Sequence, residues 1–230
     1  MREATRADRA EARPARPAPR PADAAYPADA AYPADAAYVA DAAYVADDPD
    51  PTEGPEGPDG IAGLARELVD RVAQDSTLTV AAHRLPGALQ RRRLARCRTA
   101  NAAALAEIVE EHGWPTAALV GAEASTAALM ILLHADDLPL QLTGRDLITS
   151  AVERGQCPPI HAAYATDHCA VELGRPQTYG TRYTPLGRPF PVADPDGVDA
   201  RRVSIGLRTM AAEQQALNDI RVRRLNRASA

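Results

Sequence analysis

The stretch AALMILLHADDLPLQ, Ala127–Gln141, decides the fold. Seven apolar residues in succession, Ala127 to Leu133, leave a helix no polar face, which is the pattern of a helix enclosed on all sides by its own protein. The run is far shorter than the roughly 20 residues that a bilayer requires. At His134, Asp136 and Asp137 it carries ionisable groups to the rim of the core, where desolvation tunes proton affinity. The stretch predicts a mainly α, compact domain with a candidate site at the end of its central helix.

The flanking sequence supplies the neighbours of that helix. Apolar residues at 61, 64, 65, 68, 69, 72 and 73 fit helical spacing and predict a helix from Ile61 to about Gln74. A second is expected from Pro86 to His112, with Gly113 as a left-handed stop and Pro115 preventing resumption. Its apolar stripe of Leu94, Cys97, Ala104, Leu105 and Ile108 is interrupted by Asn101. The central helix spans about Ala122 to Ala135. Thr143 and Asp146 resemble a capping box that opens the next helix, which ends at Gly155. Pro158 and Pro159 open another, stopped by Gly174, and Asp167 sits on its apolar face with Ile160, Ala163, Tyr164 and Val171.

Beyond Gly174 the period changes. QTYGTRYT, residues 177–184, alternates and is rich in β-branched and aromatic residues, so a small β-hairpin is expected. The Pro-rich stretch from Pro185 to Pro195 reads as an irregular cover, and helices are expected over Val198–Ile205 and from Met210 to about Leu225.

Residues 1–58 differ in kind. A six-residue repeat, (P/V)ADAAY, places Tyr26, Tyr32, Tyr38 and Tyr44 at equal intervals. Without Leu, Ile or Phe such a segment cannot bury enough surface to offset its ordering entropy, so a disordered N-terminal tail is expected before a globular domain over 59–230. Three readings of the repeat stand side by side: a slippage-expanded linker, a docking tail, or a peptide-precursor segment whose tyrosines are modified.

Composition narrows the function. The 230 residues are 46% hydrophobic but only 4% aromatic, so the core is built from Ala, Leu, Val and Ile, which suits close-packed helices. All basic residues are Arg, and a net charge of -5 without a basic stripe argues against a nucleic-acid surface. The first thirty residues hold no apolar signal segment, so no membrane partner is expected. Cys97, Cys157 and Cys169 form no even disulfide framework, which favours a cytoplasmic setting. No P-loop, GxGxxG, HExxH or GxSxG signature occurs. Cys157, His161, His168 and Cys169 fit tetrahedral zinc poorly, because neighbouring helical residues point apart. Asp136 and Asp137 beside His134 are the candidates for a harder ion, but no cofactor is specified.

Three helices each carry one polar side chain within an apolar face: Asn101, His134 and Asp167. Buried polar groups seek partners, so the three are expected to converge, with Asp167 or Asn101 holding one imidazole nitrogen of His134. The bland alternative is a satisfied core or capping histidine. Asn101, HGWP at 112–115, HAD at 134–136, Gln141, Asp167, PQTYGT at 176–181 and GVDARR at 197–202 together resemble the bacterial domain of unknown function 6624, over about residues 60–207. The resemblance implies no activity; it directs attention to His134, Asp136, Gln141, Asp167, Gln177, Tyr179, Gly180 and Thr181. Arg98, His168 and Arg182 depart from that family's usual Asp, Arg and Gln. Two readings of function follow. One is a small enzyme acting on a polar small molecule or peptide by hydrolysis or group transfer, with His134, Asp167 and Asn101 as the catalytic group. In it Asp136, Gln141, Gln177 and Tyr179 bind substrate, and the backbone at Gly180 and Thr181 offers oxyanion donors. The other is a non-catalytic ligand-binding or regulatory domain.

Overall fold

The computed structural model of the chain describes residues 60–83, 87–184 and 186–228. The tail over residues 1–58 and the helix opening at Pro86 lie outside the described residues. Seven helices form within them: α1 Ile61–Ala82, α2 Ala88–His112, α3 Ala117–His134, α4 Leu138–Glu153, α5 Pro159–Glu172, α6 Val198–Ser204 and α7 Met210–Ala228.

α3 holds the middle of the fold, packed against α1, α2, α4 and α5. Ala127 to Leu132 are all buried. With helices on every side, a polar residue anywhere in that run would lose its water, which is why none is present. By length and composition alone α3 would pass for a membrane span. Its first turn is set off by Gly121, whose φ of 82° breaks the helix, so the continuous part begins at Ala122 as its sequence suggests.

Two boundaries differ from the sequence expectation, each for a physical reason. α1 does not stop near Gln74 but continues to Ala82. Ser76, Thr77, Thr79 and Val80 are weak helix formers. Burial of Asp75 and Ala82 against the neighbouring helices holds them helical nonetheless. α4 starts at Leu138, before the expected capping box. Asp137 is its N-cap, accepting from the Leu140 N–H at 3.0 Å, with Pro139 in the first turn. Thr143 and Asp146 lie inside α4 and face solvent. Gly144 lets α4 approach α3, since a Cβ there would come within 2.7 Å of the Leu132 side chain.

Among the described residues there is no strand, and the pairing expected of a hairpin is limited to the isolated bridges Gln177 to Val192 and Tyr183 to Pro189, the latter antiparallel with the Thr184 N–H donating to the Arg188 carbonyl at 2.7 Å and the Phe190 N–H to the Arg182 carbonyl at 3.1 Å. Strand pairing needs backbone N–H groups. Those of Thr178, Tyr179 and Thr181 are taken by the Asp167 carboxylate instead. Residues 175–184 and 186–197 therefore form an irregular cover pinned to α5, between it and α6 in the chain.

Candidate functional site

The site is built where the C-terminal end of α3 meets α1 and α2. His134 closes the apolar run of α3 and keeps a partly exposed side chain. Facing it, Asp75 projects from the buried face of α1 and is only 4% exposed. Its Oδ1 lies 3.3 Å from His134 Nδ1. Arg98 of α2 holds the same carboxylate from the other side, through Nε at 2.8 Å and Nη2 at 3.3 Å, and Thr79 adds a hydroxyl at 3.2 Å. Burial by itself would raise the Asp75 carboxyl. The hydrogen bonds and charges of His134 and Arg98 outweigh it and hold the group well below the ordinary carboxylate range.

An ionised carboxylate accepts and cannot donate, so the His134 nitrogen facing it carries the proton. In the neutral ring the lone pair then belongs to Nε2. Asp75, Arg98, Asn101, Val72, Ile131 and His134 together line a narrow cleft. As it stands the cleft has no room for a water molecule.

A second imidazole lies within electrostatic range. His168 of α5 is 7% exposed, and its Nδ1 is 2.8 Å from Nη1 of Arg182, which also meets Glu172 at 2.9 Å. A guanidinium has only donors, so Nδ1 accepts and the His168 proton must sit on Nε2. That buried Nε2 has no hydrogen-bond partner among the described residues; the Glu172 carboxylate is 4.0 Å away. Burial first, then the charges of Arg182 and His134, push His168 well below its ordinary value and keep it neutral. An unpartnered buried donor of this kind costs about 1 to 3 kcal/mol.

The structure brings two of the sequence-derived residues together, His134 and Asn101, on one cleft. Asn101 does not touch the imidazole through a hydrogen bond. It ties α2 to α1, accepting from Arg71 Nη1 at 3.3 Å and donating to the Arg71 carbonyl at 3.4 Å. Asp167 is elsewhere. Fully buried, it accepts from the N–H groups of Thr178, Tyr179 and Thr181 and from the Thr181 hydroxyl, at 2.7 to 3.2 Å. The carboxylate that meets His134 is Asp75, and the Thr181 N–H expected at an oxyanion is already committed to Asp167.

The remaining residues serve the chain's own backbone. Gln177, wholly buried, donates to the carbonyls of Arg182 and Phe190 and accepts from the Arg182 N–H at 2.6 Å. Gln141 donates to the Ala135 carbonyl at 2.6 Å, which closes the end of α3. The Tyr179 carbonyl accepts from the buried guanidinium of Arg202 at 2.8 Å. Gly180, at a φ of 67°, packs so closely that a Cβ would lie 2.7 Å from Met210. Asp136 is exposed, and no group of three metal-ligating side chains forms among the described residues.

Sequence reasoning missed Asp75. The signal was there, because Asp75 follows Leu68 and Val72 at helical spacing and is the polar residue of that stripe. Ending the helix at Gln74 hid it. Arg98 holds Asp75 within this site, while His168 and Arg182 meet each other, Nδ1 to Nη1 at 2.8 Å. No curated protein and no solved structure matches the chain. A family model does match, over residues 64–224, and with so much of the chain covered the protein belongs to the family of unknown function DUF6624.

Proposed function

We propose that the protein is a small enzyme acting on a polar small molecule or peptide by hydrolysis or group transfer, with His134 as general base and Asp75 as the residue that orients it. The observation that carries this reading is the 3.3 Å approach of the Asp75 carboxylate to His134 Nδ1, with Arg98 bracing the carboxylate from behind. A buried acceptor on Nδ1 fixes both ring orientation and tautomer, which is what a base needs before it takes a proton on Nε2. Three unpaired cysteines fit work in a reducing cytoplasm.

A second reading, a non-catalytic ligand-binding or regulatory domain, is favoured by the narrowness of the cleft, which admits no water as it stands. In the enzyme reading a wall side chain moves to admit ligand. The Asn101 contact of the partly exposed Arg71, at 3.3 Å, is a long hydrogen bond and suited to opening.

Turnover separates the two. The full chain is assayed against a panel of activated carboxylic esters, anilides and phosphate esters, with His134→Gln beside it. The enzyme reading expects turnover by the parent, lowered by roughly 10²-fold or more in the variant, with the unfolding midpoint held. No turnover by the parent across the panel, or equal turnover in the variant, would overturn it and leave the binding reading.

A further inference from the structure

We infer that the outer face of α2 formed by Leu89, Arg92, Arg93 and Arg96 is a docking surface for the chain's own acidic segment, residues 41–50. The inference is independent of the proposed function.

The charges of the chain are segregated along it. Residues 23–59 contain ten carboxylates and no Arg, whereas residues 76–106 contain six Arg and no carboxylate. Arg98 turns inward and meets Asp75 at 2.8 Å. Arg92, Arg93 and Arg96 are exposed, and none of them makes an ion pair among the described residues. Leu89 precedes them by three, four and seven residues, which puts it on the same side of the helix, and it is 55% exposed. Like charges at these helical spacings repel one another, a cost that an anionic segment laid along the face removes.

Reach and spacing select the occupant. α1 and α2 run antiparallel, since Asp75 faces Arg98 and Arg71 faces Asn101. The Arg face therefore lies beside the last turns of α1, roughly 25 to 30 Å along that helix from its N-cap Gly60. Asp47, Asp48 and Asp50 precede Gly60 by ten to thirteen residues. An extended chain of that length covers about 31 to 40 Å, enough to cross the gap. Asp41, Tyr44 and Asp47 recur at three-residue steps. In a polyproline-type chain such residues share one edge about 9 Å apart, close to the roughly 10.5 Å that separate Leu89 from Arg96 along α2. Tyr44 against Leu89 and Asp47 against Arg96 are thereby in step, and the chain then runs on toward Gly60. Tethering supplies an effective concentration of about millimolar, so individually weak surface pairs suffice. A free polyanion lacks that advantage and is opposed by the net charge of -5.

Nitrogen-15 NMR of the full chain tests the contact at low ionic strength. Arg92→Glu, Arg93→Glu and Arg96→Glu together change only exposed side chains and should displace the amide signals of Tyr44, Asp47 and Asp48. Adding Asp47→Arg, Asp48→Arg and Asp50→Arg to that variant should return the Tyr44 signal toward its parental position, because the swapped charges attract again. Arg96→Gln alone should lower the ratio of docked to undocked chain by about 1.4- to 5-fold. From the other side, Asp47→Asn, Asp48→Asn and Asp50→Asn leave the helical domain unaltered and should shift the Nε–H signals of Arg92, Arg93 and Arg96. Tail amides that ignore the Arg substitutions, Arg signals that ignore the Asp substitutions, or no recovery in the charge swap would overturn the inference. So would a shift that grows with protein concentration, which marks the tail of a second copy. Binding of a DNA duplex or of phosphatidylserine vesicles at Arg92, Arg93 and Arg96 with the tail amides unmoved would overturn it as well.

Discussion

Oδ1 of Asp75, in α1, stands 3.3 Å from Nδ1 of His134, the last residue of α3. The contact joins two helices at the rim of the core through a carboxylate that Arg98 holds from a third. It has both a stability consequence and a chemical one.

Removing the carboxylate leaves the mostly buried Arg98 facing no counter-charge. Asp75→Ala should therefore destabilise the fold by about 3 kcal/mol, the scale for breaking a buried ion pair from one side. Asp75→Ala with Arg98→Ala should recover part of that loss, which a double-mutant cycle in urea would measure. Strict additivity of the two substitutions would show that the pair is not coupled.

Acid should weaken the protein in two stages. His161 is almost wholly buried, its Nδ1 has no partner among the described residues, and burial lowers it to about 4. The unfolded chain, with an ordinary histidine near 6.5, binds more protons between those values. Stability from this group is complete above about pH 6.5 and falls by about 2 kcal/mol between pH 7 and pH 5. Lowered His168 acts with the same sign. Asp75 contributes later: its folded value lies below its unfolded one, so its share is present above about pH 4 and is lost on further acidification. Denaturant melts at pH 7 and pH 5 should show a smaller loss for His161→Leu than for the parent.

Asp167 holds the cover. With Asp167→Ala, three backbone N–H groups and the Thr181 hydroxyl lose their acceptor, and the cost should be at least about 3 kcal/mol. Hydrogen exchange provides the check. Amides of Thr178, Tyr179 and Thr181 should lose more protection than those of α3, and equal loss everywhere would contradict a local role.

Gly180 meets two constraints together. Its φ of 67° disfavours any side chain, and a Cβ would lie 2.7 Å from Met210 Sδ. Gly180→Ala should lower stability by about 1 to 3 kcal/mol, read as a drop in thermal midpoint. An unchanged midpoint would mean that the cover adjusts freely.

By itself the sequence determined the helices and the place of His134. An apolar run on every side of α3, stripes at helical spacing and Gly or Pro stops are local signals, and they depend on burial alone rather than on what does the burying. That each polar residue within a stripe would find a partner was equally legible, since an unpaired buried group is costly. Which partner it found was decided only by tertiary structure. Asp167 and Asp75 are both carboxylates on apolar helix faces, and nothing local distinguishes them. The rotation and axial offset of α1 against α3 bring Asp75 to His134, while the cover carries its own unpaired N–H groups to Asp167. The alternating pattern of residues 177–184 produced isolated bridges rather than a strand for the same reason. The backbone donors of Thr178, Tyr179 and Thr181 were satisfied by a side chain eleven to fourteen residues earlier in the chain, while only those at the ends, Gln177 and Thr184, pair with backbone carbonyls opposite.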